Sequence, residues 1–294
     1  MTGLDQLGMV TAATWADMDG DGWQDLIVSQ EWDSVAVFLN AQGKLSRSQQ
    51  TGDLETRTGW WGDISCGDID GDGDMDIFAS NVGLNTKYKA TLKKPMVVFY
   101  GDFDGSGKAH IVEGKQEGSV CYPERGRSCS SNAMPFIREK FKTFHDFGQA
   151  SLVDVYGESK LKAASRFEAN TFEHGVFVND GTGKFEFRSL PRLCQIAPSR
   201  SNALADLDGD GDLDIVLGQN FFGPQAETGR YDGGLSQVLV NDGLGEFNAV
   251  APVDSGVAVR EAVTAIEVRD INGDKKMDVV FAVNNGPVKM FFGK

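Results

Sequence analysis

Short runs of β-branched and aromatic residues alternate along the chain with clusters of Gly, Asn and Asp. Runs such as residues 10–16 are typical of short β-strands that are separated by tight turns. Residues 133–165 depart from this pattern, because Met134, Ile137 and Phe141 follow one another at helical spacings. The pattern therefore predicts an all-β fold with a small helical insertion.

Five of the polar clusters share the sequence Asp-x-Asp-Gly-Asp-Gly-x-x-Asp or a close variant of it. In chain order these loops occupy residues 17–25, 68–76, 102–110, 206–214 and 270–278. Each loop lies between two predicted strands. A hairpin signature, Asn-Asp-Gly-x-Gly-x-Phe, occurs at 179–185 and 241–247, with a degenerate copy at 40–45. Each repeat thus predicts two strands joined by the loop and two more joined by the hairpin, which together make a four-stranded blade.

Repeats of this length predict a β-propeller, whose blades run at about 40–50 residues. We expect residues 1–294 to form one domain with five loop-bearing blades, in a closed ring of about five to seven. The gap between the third and fourth loops fits either two blades or one blade with an insertion. Because helical periodicity appears there, we favour an insertion at 115–165 inside the third blade. The hairpin at 179–185 would then close that same blade.

The loops have the chemistry of a calcium site. Oxygen ligands at positions one, three, five and nine can converge on one ion, and glycine at position six permits the left-handed turn. Hard oxygen ligands favour Ca²⁺ over zinc, and the carbonyl at position seven would add another oxygen. The predicted ligands of up to five Ca²⁺ ions are Asp17, Asp19, Asp21, Trp23, Asp25, Asp68, Asp70, Asp72, Asp74, Asp76, Asp102, Asp104, Ser106, Lys108, Asp206, Asp208, Asp210, Asp212, Asp214, Asp270, Asn272, Asp274, Lys276 and Asp278.

The five loops are not equal. The third has Ser106 and His110 in place of two Asp, and the fifth has Asn272 and Lys275 where Asp and Gly are expected. We expect weaker binding at both. A solvated turn would explain a single Asp-Gly cluster, but five copies in one strand context favour metal sites. Crowded carboxylates repel one another without a cation, so the calcium is expected to be mainly structural.

Charge and hydropathy limit the classes of partner that are expected. A net charge of -15 argues against a nucleic-acid partner, and no apolar run reaches membrane-spanning length. The N-terminus does not read as a signal peptide, so we expect a removed signal or a part of a longer chain, monomeric if it stands alone. Cys121 and Cys129 are compatible with a local disulfide or with two free thiols.

The strand-flanked loops resemble the FG-GAP/VCBS repeats of integrin-α-type propellers. Other signatures are similar to bacterial ASPIC/UnbV-associated VCBS proteins, which are relatives of the cartilage acidic proteins. These signatures are Gly59-Trp60-Trp61, Asn81-Val-Gly-Leu-Asn85, residues 135–144, Glu168-Ala-Asn170 and Gly229-Arg230-Tyr231-Asp232. The resemblance implies calcium at the loop Asp residues, an adhesion-like role, and an extracellular, periplasmic or cell-surface location.

Two functions remain open. The first is a binding module for a protein or glycan, and the alternative is a calcium-dependent polysaccharide-active enzyme, a lyase or glycosidase. We favour binding and assign no catalytic residue, because acid/base pairs cannot be singled out among so many metal-committed Asp. Aromatic and arginine residues could line a binding face, although burial in the core is their commoner fate. They are Trp60, Trp61, Tyr122, Arg125, Phe221, Phe222, Arg230 and Tyr231.

Overall fold

The computed structural model describes residues 3–49, 51–224 and 228–293. Its contacts divide the chain into two compact units. The larger unit comprises Met1–Lys87 and Phe172–Lys294, and the smaller comprises Tyr88–Thr171. Strands dominate and almost all pair antiparallel, which confirms the all-β class. No helix among the described residues is long and apolar enough to cross a membrane.

Twenty-one strands and seven short α-helices are found in the described residues. The strands are β1 (Met9–Ala16), β2 (Asp25–Asp33), β3 (Ala36–Ala41), β4 (Lys44–Arg47), β5 (Thr51–Gly52), β6 (Gly59–Trp60), β7 (Ile64–Gly67), β8 (Asp76–Ala79), β9 (Met96–Gly101), β10 (His110–Glu117), β11 (Val120–Pro123), β12 (Ser165–Ala169), β13 (Gly175–Asn179), β14 (Lys184–Ser189), β15 (Ser199–Ala205), β16 (Asp214–Gln219), β17 (Gln237–Asn241), β18 (Phe247–Val250), β19 (Val263–Arg269), β20 (Asp278–Val283) and β21 (Lys289–Phe291). The helices are α1 (Asp53–Thr56), α2 (Arg127–Ala133), α3 (Phe136–Lys140), α4 (Phe144–Gln149), α5 (Leu152–Tyr156), α6 (Glu158–Ala163) and α7 (Pro252–Ser255), with 3₁₀ turns at Leu4–Gln6 and Arg192–Ile196.

Each of the five loops joins the first two strands of its own sheet. In the larger unit, sheet I has the order β1-β2-β3-β4, with β6 beside β2, and sheet II has the order β7-β8-β13-β14, with β5 parallel to β14. Sheet IV has the order β15-β16-β17-β18, and sheet V has the order β19-β20-β21. These orders confirm that a loop-bearing sheet is the repeating unit.

The hairpin at 179–185 belongs to a different sheet from the one predicted. Strand β13 pairs with β8, so that Val176 lies opposite Phe78, and β14 pairs with β13. The hairpin therefore completes sheet II, and the prediction that it closes the third blade is wrong. The physical reason lies in β8, where Ile77 and Phe78 are fully buried and need strands on both sides. The whole smaller unit separates β8 from β13 in the sequence.

The smaller unit contains sheet III, with the order β11-β10-β9-β12. Its last strand pairs with the first strand β9 rather than with the third, unlike the last strands of sheets I, II and IV. Helices α2 to α6 occupy the segment between β11 and β12. They pack on the sheet through a core that includes Phe103, Val112, Ile137 and Leu152.

Apolar cores join successive sheets of the larger unit. The first strands β1, β7, β15 and β19 contact one another in this order. Trp61 and Phe177 pack edge to face at 5.5 Å in the core shared by sheets I and II. Further cores join sheet II to sheet IV and sheet IV to sheet V. A propeller that is closed into a ring of blades remains a prediction.

A buried polar cluster around His174 fixes the entry into β13. The imidazole Nδ1 accepts the backbone N–H of Asn81 at 2.8 Å, so the N–H at Nε2 donates to the carbonyl of Ala197 at 3.0 Å. Gln195 accepts the His174 backbone N–H at 2.9 Å and donates to the His174 carbonyl at 3.0 Å. Because the ring is buried and Nδ1 must stay unprotonated, burial lowers the pKa of His174 from 6.5 to about 4.

This lowered pKa makes the stability of the larger unit depend on pH. Unfolded His174 binds a proton below pH 6.5, whereas the folded residue does so only near pH 4, so its contribution is complete above pH 6.5 and is lost as the pH falls towards 4. We expect His174→Gln to lack this titration. The difference in unfolding free energy between wild type and variant should shrink by about 3 kcal/mol between pH 7 and pH 4 in urea titrations. The exposed His145 provides the control His145→Gln, and a difference for His174→Gln that is independent of pH would contradict the assignment.

Candidate metal centres

The first aspartate of each loop organises the backbone of that loop. Asp68 accepts the N–H of Gly71 at 2.9 Å and that of Gly73 at 3.1 Å, one on each carboxylate oxygen. Asp102, Asp206 and Asp270 accept the corresponding two N–H groups, and Asp17 accepts those of Asp21 and Gly22. Each loop is therefore a preformed turn, wrapped around one carboxylate.

The middle of each loop needs left-handed backbone. Gly71 and Gly73 have φ of 75° and 98°, a conformation that glycine adopts without steric cost. In the fifth loop, Lys275 occupies the second of these positions at φ 70°, where a side chain is disfavoured. The sequence-based expectation that the fifth loop departs from the others thus has a conformational basis.

The ninth position of the loop is a buried carboxylate with two backbone partners. Asp76 has no exposed surface, and its Oδ2 accepts the N–H of Ile69 at 2.9 Å. Its Oδ1 accepts the N–H of Asn179 at 2.8 Å, at the end of the third strand of the sheet. Asp25, Asp214 and Asp278 are equally buried, and each accepts two backbone N–H groups in the same way. One carboxylate thus ties the loop to the hairpin end of its sheet.

The hairpin asparagines make the reciprocal contact, which the sequence analysis did not foresee. Asn179 donates from Nδ2 to the carbonyl of Met75 at 3.3 Å, and Asn241 donates to that of Leu213 at 3.2 Å. Asn40 makes the equivalent bond at 2.9 Å in sheet I. The sequence carries a signal for this contact, because hairpin signatures accompany the loops along the chain. The sequence analysis interprets these signatures only as tight turns.

Three of the five loops gather three carboxylates into one place. In each group the candidate ligand oxygens lie within 4.8 Å of one another. The groups are Asp17 with Asp19 and Asp25, Asp68 with Asp70 and Asp76, and Asp206 with Asp208 and Asp210. The other predicted side-chain ligands stand outside these groups. Of the position-seven residues, Asp74 and Asp212 lie with their side chains against Gly181 and Gly243 of the hairpins, and ligation by a position-seven carbonyl remains a prediction.

The electrostatics of the second loop fit a cation. Oδ1 of Asp70 is buried and has no hydrogen-bond partner. Burial, followed by the neighbouring charge of Asp72, raises the pKa of Asp70. Burial raises the pKa of Asp76 to about 6, with Asp70 and Asp72 adding to the rise. Uncompensated carboxylates and an unused oxygen are what a bound divalent cation would satisfy.

The third and fifth loops fit a cation less well. In the third, His110 replaces the ninth carboxylate, and its Nε2 lies 3.3 Å from Oδ2 of Asp104. Hydrogen bonds from Ser106 hold the pKa of Asp104 down at about 2. In the fifth, the Asn272 amide donates to Asp274 at 3.1 Å. A side-chain contact therefore already occupies one carboxylate in each of these loops.

The residues considered for a binding face separate into two kinds. Trp61 is fully buried in the core. Arg125 forms a two-bond ion pair with Glu113, at 2.9 and 3.1 Å, and this pair engages the glutamate at position twelve of the third loop. Phe221, Phe222 and Arg230 remain at the surface or half-buried. All four cysteines lie in the described residues and are free thiols, Cys121 and Cys129 included.

Comparison with known proteins identifies FG-GAP repeats in the larger unit. A sequence model of the FG-GAP-like repeat matches residues 17–79 and 173–217, and one of the FG-GAP repeat matches residues 200–239. These matches include the first, second and fourth loops, which are the three that gather carboxylates. They do not extend to the finer resemblance to ASPIC/UnbV-associated proteins. No curated protein matches the chain.

Several solved structures show weak similarity. The V. cholerae biofilm matrix protein Bap1 is 8% identical, with 96% of this chain and 62% of that chain covered and a TM-score of 0.32. A Bacillus licheniformis rhamnogalacturonan lyase is 15% identical, with coverages of 92% and 52% and a TM-score of 0.23. The exotype rhamnogalacturonan lyase YesX is 15% identical, with coverages of 90% and 47% and a TM-score of 0.25. This chain spans less than two thirds of each of these three chains.

Mutation in EGTA can separate the structural role of the ninth carboxylate from the metal binding expected of the loop. Asp76→Ala leaves two backbone N–H groups without acceptors, so we expect a loss of about 2–4 kcal/mol of unfolding free energy even without metal. Asp72→Ala changes an exposed residue of the same loop, and we expect it to cost less than about 1 kcal/mol in EGTA. Urea titrations measure both values. Equal losses for the two variants would show that the ninth carboxylate has no separate structural role.

Proposed function

We propose that this chain is a calcium-binding FG-GAP repeat module of β-propeller type, in which calcium is mainly structural. The module acts outside the cytoplasm and binds a protein or glycan ligand. The observation that carries the proposal is the grouping of three carboxylates in each of three loops, with candidate ligand oxygens within 4.8 Å of one another. The FG-GAP repeats coincide with these loops.

The donor set supports calcium in particular. All nine grouped side chains are carboxylates, and hard oxygen donors suit Ca²⁺ rather than zinc. The loops are closed by backbone hydrogen bonds to Asp68 and its equivalents, so the ligands are in place before an ion arrives. The unpartnered Oδ1 of Asp70 is an open donor position in the second loop. When bound, the ion would relieve the repulsion among the carboxylates.

A structural role for the ion follows from where the loops lie. Each loop links the first two strands of its sheet, and its ninth residue also contacts the end of the third strand in sheets I, II and IV. In the first and second loops, whose groups include position nine, a bound ion would therefore stabilise three strands together. Extracellular calcium modules bind at about 10⁻⁴–10⁻³ M, which matches loops as exposed as these.

Calcium binding predicts a stoichiometry and a gain in stability. We expect at least three Ca²⁺ per chain in isothermal titration calorimetry, and Asp68→Asn should remove one of them. At ten times each dissociation constant, three sites would add about 4 kcal/mol to the unfolding free energy relative to EGTA. The control Asp254→Asn changes an exposed carboxylate outside the loops and should keep every ion. A metal-free protein with the same melting temperature in EGTA would contradict the proposal.

The third loop provides an internal test. Because His110 lies against Asp104 where the other loops have a carboxylate, we expect no strong calcium site there. His110→Asp restores the loop pattern and should add one Ca²⁺ to the calorimetric stoichiometry of the whole chain. Asp102→Asn in the wild-type protein should leave the calorimetric calcium stoichiometry unchanged. If Asp102→Asn removes an ion, the third loop already binds calcium and this part of the proposal is wrong.

A further inference from the structure

Sheets I, II, IV and V of the larger unit contact one another in series, and one position of each sheet faces the sheet that follows. This position is the second residue after the ninth residue of the loop. In the first three sheets of the series it is fully buried in the core shared with the following sheet, as Ile27, Phe78 and Val216. The repeat therefore builds one half of an inter-sheet contact at this position.

Sheet V has the same half of the contact, but it is the last sheet of the series among the described strands. Its residue at the equivalent position is Val280, which is only half-buried, as is Ala282 on the same face. Met290 lies opposite Val280 in the strand pairing and is 44% exposed, and Phe292 beyond it is 54% exposed. Residues directly opposite in a sheet share a face. We call this apolar surface (Val280, Ala282, Met290 and Phe292) the outward face of sheet V.

Sheet I, at the other end of the series, has the complementary half. In the later sheets, the residue two positions before the loop lies on the first strand and packs against the core shared with the preceding sheet, as Cys66, Leu204 and Val268. The counterpart in sheet I is Trp15 on β1. No sheet precedes sheet I in the described part of the series, and Trp15 is 54% exposed.

The N-terminal segment covers a different part of sheet I. Leu4 and Leu7 pack against the core of Val28, Ala36 and Phe38, and they leave Trp15 on β1 open. The internal contacts between sheets also run through first strands, since β1 touches β7, β7 touches β15 and β15 touches β19. The open part of sheet I is therefore the part that the repeat uses for such contacts.

The chemistry of the two ends identifies the partner. Contiguous exposed apolar surfaces mark interaction sites, and Trp, Phe and Met are enriched in the buried centres of protein interfaces. In each internal contact, the surface that covers such an outward face is the first strand of another sheet of the same repeat. The first strand that is left uncovered is β1. Within one chain both ends stay exposed, so the surface that fits the outward face of sheet V is β1 of another copy.

We infer that the outward face of sheet V binds strand β1 of a second copy of this chain, with Met290 and Phe292 packed on the second copy's Trp15. The two surfaces differ, so the contact is head to tail, and it can close into a ring of two copies or extend to more. This association departs from the monomer expected from the sequence, which does not reveal the open sheet faces. It goes beyond the proposed function and does not depend on which loops bind calcium.

Sedimentation-velocity ultracentrifugation of the calcium-loaded protein tests the contact. About 0.15 M salt screens the repulsion between copies that each carry a net charge of -15. We expect the wild type to associate, and Met290→Asp and Trp15→Asp should each raise the dissociation constant at least about tenfold, because each would bury a carboxylate in an apolar contact. Val253→Asp changes an apolar side chain that is 87% exposed on α7 and should associate like the wild type.

A mixture of the two variants tests the head-to-tail arrangement. The Met290→Asp protein keeps an intact β1, and the Trp15→Asp protein keeps an intact outward face of sheet V. The mixture should therefore recover association through one intact contact, although each variant alone does not associate. If Met290→Asp alone weakens association and Trp15→Asp does not, sheet V binds itself and the head-to-tail contact is wrong.

The remaining outcomes also decide the inference. A wild type that stays monomeric as its concentration is raised, an equal loss in Val253→Asp, or a mixture that stays monomeric would overturn it. Melting temperature and calcium stoichiometry are measured on every variant, and Phe292→Asp or Trp15→Ser replaces a variant that fails to fold. A monomer with full calcium stoichiometry would sink this inference while leaving the calcium proposal standing.

Discussion

The structure of the repeat depends on a buried carboxylate whose two oxygens both accept hydrogen bonds from the backbone. Asp76 and its equivalents have no exposed surface, and both oxygens accept backbone N–H groups from separate parts of the sheet. Burying a charge without partners costs several kcal/mol, so this residue is tolerable only where both partners are in place. In sheets I, II and IV this requirement couples the loop to the hairpin, and it makes each of these sheets a cooperative unit rather than a set of independent turns.

The proposed metal binding would depend on this framework. Burial, with neighbouring carboxylates adding to its effect, raises the pKa of Asp70 and of Asp76 in the second loop, and a bound cation would stabilise their charged forms. In the fifth loop, hydrogen bonds from the N–H of Ile271 and from other backbone groups outweigh the effect of burial, and the pKa of Asp278 is lowered rather than raised. The third loop departs further from the pattern, because His110 stands at the ninth position in place of a carboxylate.

Local patterns in the sequence predicted local structure well. The loops, their flanking strands and the hairpins follow from residue types whose backbone preferences act over a few positions. Strand pairing across a long separation could not be predicted in this way: the hairpin at 179–185 pairs with β8 because β8 needs a buried partner, and the whole smaller unit intervenes in the sequence. The exposure of individual side chains could not be predicted from the sequence either. The sequence offers both Trp61 and Arg230 as candidates for a binding face, and only the packing shows that Trp61 is buried in the core whereas Arg230 is exposed.

The most direct test of this account is amide hydrogen exchange on the metal-free protein in EGTA. The N–H groups of Ile69 and Asn179, which donate to the buried Asp76, should exchange as slowly as strand amides of sheet II. The N–H of Gly73 donates to Asp68 of the same loop in a solvent-exposed hydrogen bond, and it should exchange much faster. If the Ile69 and Asn179 amides exchange as fast as that of Gly73 and slow down only when calcium is added, then the ion and not the buried carboxylate holds the repeat together.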